Sequence, residues 1–345
     1  MHRSTISAQK RKKGLRLDSR NPLVCHEAEI KSQMPYHYTT VGWYARHAML
    51  TFEFFRFRFG FRALDSIHFP AGKSANVLRG AFGTVLRQTA PLPAYQRLFE
   101  PRADASAGPS GLRDWPRPFL FRTAHLDGQT ISPGETFFVD AHVFDLQEPV
   151  LPHFRRALSA LAESGLGPRR GRAELQWIEQ LDLEDHAAAV TDSPLVPSRL
   201  RLADETNPSG VSRVAVRFFT PTELKSDGES VSRPEFPVLF ARLRDRLSTL
   251  RALYGNGPLE IDFQEMGRRA AAIRLDRCDL HWEHTVRRST RTGQTHPIGG
   301  FTGEAEYTGD LAEFLPWIQA GRWIGVGRQT VWGKGDIRVT GFTPS

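Results

Sequence analysis

Residues Thr51–Phe61 read TFEFFRFRFGF, with Phe and Arg alternating from Phe55 to Phe59. Successive side chains of a strand point to opposite faces, so the stretch predicts a strand with one apolar and one polar face. A loop with Pro70 and Gly72 follows. Ser74 then reads as the N-cap of a helix to about Gln88, with Val77, Ala81, Phe82, Val85 and Leu86 at helical spacing, and Pro91 and Pro93 end it. Ala94–Glu100 is a short helix or turn, and residues 101–118, rich in Pro, Gly, Ser and Arg, are a loop. Phe119–His125 and Glu135–Phe144 are strand-like, with turns at Asp127–Gly128 and Pro133–Gly134 between them. Pro152–Glu163 is an amphipathic helix, Gly165–Arg172 a glycine- and arginine-rich turn, and Ala173–Leu183 a closing strand. The order is β-α-β-β-α-β, the ferredoxin-like pattern.

After a polar linker with several prolines, a second round begins. Arg213–Phe219 is strand-like, Pro237–Leu253 is a helix, and Arg268–Glu283 suits one or two strands. Gly300–Tyr307 is a strand, Asp310–Ala320 a helix and Asp336–Thr340 a last strand. A glycine-rich turn follows the second helix of each round, at 165–172 and 325–335. The expected fold is α+β: two tandem ferredoxin-like (βαββαβ, RRM-like) domains at 49–184 and 213–345, a linker at 185–212, and a basic extension at 1–48.

The 345 residues suit two domains, and 40% hydrophobic with 24% charged residues argue for a buried core. No stretch approaches the roughly 20 apolar residues that span a bilayer, so no membrane partner is expected. Cys25 and Cys278 can form neither a disulfide framework nor a four-cysteine zinc site. The N-terminus lacks an apolar signal core, which makes a cytoplasmic protein the expectation. Of the net charge of +8, residues 1–48 carry +6, from nine Lys/Arg against three acids. An RNA-binding arm, a disordered extension and translation from a start upstream of Met49 all fit this tail.

Gly325-Val326-Gly327-Arg328-Gln329-Thr330-Val331-Trp332-Gly333-Lys334-Gly335 is the stretch richest in chemistry. Glycines let a ligand approach the backbone closely. Freed N–H groups beside Arg328 and Lys334 could cradle phosphates, and Trp332 could stack on a base. Lys334 is followed by Gly335, which breaks GxxxxGK[ST], and Thr330 stands where GxGxxG needs its third glycine, so nucleotide hydrolysis is disfavoured. A tight helix-to-strand connection explains the same glycines. Arg287, Arg288 and Arg291 form a basic cluster with no acid between Glu283 and Glu304, suited to phosphate contact or to a solvated surface.

The doubled pattern with this loop near the C-terminus resembles the RAMP superfamily of CRISPR proteins, and within it the CRISPR precursor-RNA processing endoribonuclease family. Carrying the resemblance are Leu78-Arg79-Gly80-Ala81-Phe82-Gly83, Tyr95–Pro101, Gly165-Leu166-Gly167 ahead of Arg169–Arg172, Trp282 with Arg287–Arg291, Gly299–Gly303 and the terminal glycine loop. It covers about residues 50–340 and implies metal-independent cleavage of repeat RNA. The ribose 2′-OH attacks phosphorus, leaving a 2′,3′-cyclic phosphate and a 5′-OH. Such chemistry needs a base, an acid and cations on the non-bridging oxygens, and neither metal nor cofactor. The family often supplies a His near the first helix. Pro93–Glu100 carries Tyr95, Gln96 and Arg97 but no His, so the nearest candidates are His68 with Lys73, and Tyr95 as ribose-positioning group or weak acid. The resemblance further implies RNA contacts by Arg79, Arg287, Arg288, Arg291, Gly325, Gly327, Arg328, Trp332, Gly333, Lys334 and Gly335. The expected partners are CRISPR repeat RNA and other subunits of a CRISPR effector complex. A non-catalytic RNA-binding subunit of such a complex is the alternative.

Overall fold

The computed structural model describes residues 50–102, 115–203, 210–284, 286–288, 295–297 and 299–344; the basic tail 1–48 and Arg291 lie outside the described residues. The alternating stretch forms β1 (Thr51–Ala63), and both of its faces are put to use. Phe57, Phe59 and Phe61 enter one core with Leu78 and Phe82 of α1 (Ser74–Thr89) and Phe154 and Leu158 of α3 (Leu151–Ser164); α2 (Leu92–Phe99) lies between these helices in the chain. Phe52 and Phe54 have the opposite parity and enter a second core. Arg56 and Arg58 continue that second face, so the polar face of the strand is turned inward, toward the other half of the molecule.

Around β1 lie β2 (Phe119–Arg122), β3 (Thr136–Val143) and β4 (Ala173–Leu181), in the order β2-β3-β1-β4 and all antiparallel. Phe59 stands opposite Val139 on one side and Ile178 on the other. The expected linker contributes strands of its own. β5 (Ala187–Ala189) pairs with β4, and β6 (Ser198–Arg201) pairs with the start of β1, Thr51 opposite Arg201. Neither sequence alternates apolar with polar; the ladder hydrogen bonds hold them extended.

The second round forms β7 (Val211–Thr222), β8 (Arg274–Glu283), β9 (Gly300–Thr308) and β10 (Ile337–Pro344), in the order β8-β9-β7-β10, again antiparallel. Its helices are α4 (Phe236–Tyr254), α5 (Phe263–Ala270) and α6 (Leu315–Ile324). In both rounds the sheet order is second, third, first, fourth strand.

Several local expectations change. Ser74 is the first helical residue of α1, and Lys73 at the N-cap makes no side-chain bond. The cap comes from a neighbouring turn: Asp127 Oδ1 accepts the Ser74 N–H at 2.9 Å, while Ser74 Oγ donates to the Thr123 carbonyl at 2.8 Å. Arg268, expected on a strand, belongs to α5, because Asp262 accepts the N–H groups of Gln264 and Glu265 and Glu265 pairs with Arg268 and Arg269 one turn on. α6 starts at Leu315 instead of Asp310, with Pro316 in its first turn, where a missing N–H is tolerated.

The second core mixes residues of both rounds: Phe52, Phe54, Leu120 and Phe144 pack with Leu239, Phe240, Leu243 and Trp317. The tie is closed at the end of α6. Its last carbonyls are orphans of the helical ladder and are buried, so each needs a donor. Arg122 of β2 donates to the Arg322 carbonyl (2.9 Å), His142 Nδ1 of β3 to the Trp323 carbonyl (2.7 Å), and Arg246 of α4 to the Ile324 carbonyl (2.8 Å). Cations here also meet the negative end of the helix dipole.

From Gly325 the chain turns through 325–335 into β10. A Cβ on Gly335, at φ +71, would sit 2.0 Å from the Val326 carbonyl oxygen, and one on Gly333, at φ +82, would sit 2.5 Å from the Ala75 Cβ. Val326, Arg328 and Gly335 spend their N–H groups on Gly335, Glu223 and Pro221 carbonyls. These amides are therefore not a phosphate cradle; the glycines let the loop press against β7 and the entry of α1. No helix among the described residues is long and apolar enough to cross a membrane.

Two outcomes follow from these contacts. Gly335→Ala loses about 2 kcal/mol or more of stability in denaturant unfolding, whereas Gly341→Ala, with open space around it, stays close to the parent. Burial holds His142 well below the ordinary 6.5, followed by the like charge of Arg122. Above that pH both folded and unfolded histidine are neutral; below it only the unfolded chain takes the proton. Stability therefore falls as pH drops below about 6.5, by up to ~1.4 kcal/mol per pH unit, and His142→Gln, which keeps a donor but cannot titrate, flattens that slope.

Candidate RNA-binding and catalytic cleft

The inward polar face of β1 and the facing end of the second sheet enclose a cleft of about 640 Å³. The first round contributes Arg56 and Arg58 from β1, Arg122 from β2, Phe138, Asp140 and His142 from β3, and the turn carrying His125 and Asp127. The second contributes Phe219 and Thr220 from β7, Arg322 and Trp323 from α6, the loop residues Trp332, Gly333 and Lys334, and Asp336 and Arg338. A larger groove of about 1270 Å³ runs beside α3 and β4, but Phe57, Val150, Leu175 and Trp177 give it a mainly apolar wall.

Ion pairs nearly balance the charge of the cleft. Asp140 takes Arg58 through two bonds of 2.8 and 2.9 Å, Asp336 lies 3.4 Å from Arg338 and 3.9 Å from Arg122, and Asp185 bridges Arg56 and Arg322. Lys334 differs. It is 4% exposed, it lines the cleft, and no carboxylate among the described residues pairs with it. Burial lowers its ammonium below the ordinary lysine value; Glu283 and Asp127 pull it back up, and Lys73 pushes it down. Four segments thus converge electrostatically on this one amine: the glycine loop, the end of β8, the turn after β2 and the residue before α1.

His125 stands across the same cleft. Its ring stacks on Phe138 with centroids 4.2 Å apart, and the Arg58 guanidinium lies 3.9 Å from the same ring. Its Nε2 lies 3.1 Å from the Phe138 carbonyl. A carbonyl only accepts, so Nε2 donates here, and in a neutral ring with that bond Nδ1 is the nitrogen with the lone pair. The strand-like run Phe119–His125 stops as a strand at Arg122, and the single 3₁₀ turn Ala124–Leu126 brings His125 to the cleft wall. A histidine two residues before an Asp-Gly turn was the available signal.

Of the residues singled out from sequence, Trp332, Gly333 and Lys334 line the cleft, and Lys73 lies beside Gly72 and Ser74 at its rim. Arg79 is buried, 7% exposed, over the Phe99 ring at 4.4 Å and 5.8 Å from Trp332. Three of the motif segments meet there, so Arg79 packs helix to loop and is not presented to an RNA backbone. Gly325 and Gly335 are buried in the turn, and Gly327 packs on the Glu223 carbonyl. Arg328 points outward and pairs with Glu223 at 3.2 Å. His68 Nδ1 is held 3.0 Å from Thr130 Oγ1 between two short strands, and Tyr95 is buried with its hydroxyl donating to Glu100 at 3.0 Å; neither lines the cleft. Arg287 and Arg288 lie on the short strand Val286–Arg288, paired with Thr295–Pro297. Flanking Asp185 at the edge of the cleft, the exposed Asp182, Glu184 and His186 bring possible ligand atoms within 4.8 Å of one another, and a 2.9 Å Asp182–His186 ion pair already joins two of them.

Comparison with known proteins divides along the two rounds. Residues 51–201 match a family described as an N-terminal domain, and residues 216–337 match the CRISPR-associated endoribonuclease Cas6 family. No curated protein sequence matches the chain. Among solved structures, a product complex of Cas6 from Thermus thermophilus is 19% identical, covers 83% of this chain and 99% of that one, and has a TM-score of 0.51. A partial Cas6-RT-Cas1–Cas2 complex is 12% identical over 85% of this chain and 46% of that one, with a TM-score of 0.52. At such identities the likeness is one of fold, a mixed α/β architecture with antiparallel sheets. Residues 216–337 thus carry the likeness to the CRISPR-associated endoribonuclease Cas6 family, and the fold of the chain is like that of solved Cas6 structures.

Proposed function

We propose that this protein cleaves CRISPR precursor RNA within the repeat by metal-independent attack of a ribose 2′-OH on the adjacent phosphorus. The two rounds of equal strand order are read as tandem ferredoxin-like domains, 49–184 and 213–345, with 185–212 joining them and the RNA lying in the cleft between. The observation that carries the reading is the meeting, in one cleft of a chain whose residues 216–337 match the Cas6 family, of a buried lysine that no carboxylate among the described residues pairs with and a histidine with one nitrogen tied off.

In this reading His125 Nδ1 takes the 2′-OH proton as the new bond from O2′ to phosphorus forms. Lys334, protonated, gives a proton to the departing O5′ as the bond from phosphorus to O5′ breaks. Lys73 and Arg338 neutralise the non-bridging oxygens. His125 takes the part given from sequence to His68, whose ring is turned to Thr130, and Lys334 the acid role considered for Tyr95, whose hydroxyl is turned to Glu100. The proposed partners are the repeat RNA and other subunits of a CRISPR effector complex.

The test is cleavage of repeat RNA from the protein's own locus in chelator, with the product ends analysed. His125→Ala is expected to slow cleavage by about 10²–10⁴-fold with little change in RNA affinity, and Lys334→Met by about 10²-fold or more. His68→Ala and Tyr95→Ala should cut at close to the parental rate. Parental cutting by His125→Ala removes that residue from the mechanism. Tight repeat binding by the unaltered protein with no cutting selects a non-catalytic RNA-binding subunit.

A further inference from the structure

The second sheet has one face buried under α4 and α6 and one open face. Val214, Val216 and Phe218 of β7 point into the core, so Arg217 and Phe219 point to the open side. Phe219 is 43% exposed, unlike its buried neighbour Phe218. The Arg338 guanidinium lies 4.3 Å from its ring centroid and that of Arg217 5.0 Å. Arg217 and Arg338 are register partners on adjacent strands. No carboxylate among the described residues pairs with Arg217, while Arg338 keeps a 3.4 Å contact to Asp336. Phe219 and Arg338 also line the cleft, so the open face continues its wall.

An exposed aromatic ring beside two guanidinium groups costs apolar exposure and self-repulsion of like charges. A partner that is flat and aromatic on one part and anionic on the next would offset both. A single-stranded nucleic acid has that alternation of base and phosphate. We propose that Phe219, with Arg217 and Arg338, is a seat for one unpaired base of the bound RNA, the base stacking on the ring or on a guanidinium plane and the flanking phosphate meeting Arg217. The seat rests on the reading of the protein as an RNA-cleaving enzyme. It adds a binding position for a strand leaving the cleft over the second sheet, and none of the groups assigned to the chemistry belongs to it except Arg338, which is left unaltered in the test.

The experiment uses the full chain and a single-stranded RNA of the repeat sequence in which 2-aminopurine replaces successive purines. In the unaltered protein, one position is expected to show quenched fluorescence on binding. Phe219→Ala should abolish that quench and weaken binding by about tenfold or more, Phe219→Trp should restore both, and Arg217→Gln should reduce the salt dependence of binding by about one released counterion. Unfolding curves of the variants should overlay the parent, since these side chains lie on an open face. If Phe219→Ala and Phe219→Trp both bind and quench as the unaltered protein does, the seat does not exist although the enzyme reading stands. If the unaltered protein binds no RNA at low salt, both fall together.

Discussion

The hold of the first sheet on the C-terminal carbonyls of α6 sets the rest of the molecule. A helix ending inside a protein leaves carbonyls that water would otherwise satisfy, and each bond to an arginine there contributes about 1.5–3 kcal/mol, the neutral histidine less. Arg122 and His142 reach across from the first round to supply two of the three donors, and Arg246 supplies the third. Since α6 runs directly into the glycine loop, the same contacts that join the two rounds also fix where Lys334 emerges. Trp323, under the Arg56 guanidinium at 4.3 Å and 6.0 Å from Phe54, seals the inner end of that joint. The cleft is therefore a product of the tie between rounds and belongs to neither alone.

The elements themselves were largely readable. The alternation in Thr51–Phe61 and the helical spacing in the first helix correspond to β1 and α1, and each round forms an antiparallel sheet. Two of the departures share a cause, which is that the deciding partner lies far away in sequence. Ala187–Ala189 and Ser198–Arg201 are strands only because β4 and β1 offer them a ladder. Ser74 looks like a cap, but the cap is Asp127, fifty-three residues on. Arg268 sits in a helix because Asp262 and Glu265 stabilise one locally, a signal present in the sequence and overlooked beside the apolar run after it.

The site was legible in part, for the same reason. Glycine, tryptophan and lysine at 332–334 stood out as residues and do reach the cleft. Arg79 and Tyr95 also stood out, yet both are absorbed in packing around Phe99, where aromatic faces and a guanidinium satisfy one another. His125 was hidden because the strand-like run carries on through it, and only the Asp127-Gly128 turn two residues on hints at where the strand stops. Which charges are paired is a property of the assembled cleft: the sequence does not mark Arg58 as paired or Lys334 as unpaired, and the fold supplies Asp140 to one while no carboxylate among the described residues pairs with the other.

The central strand carries one more consequence. Its even and odd positions serve two different interiors, rings toward α1 and α3 on one side and guanidinium groups toward the cleft on the other. A strand slipped by a single residue exchanges its faces. Loss or gain of one codon within β1 would therefore drive arginines among Phe82 and Phe154 and expel phenylalanines into the cleft. The phase of these thirteen residues is held by two demands at once, the packing of one core and the lining of the cleft.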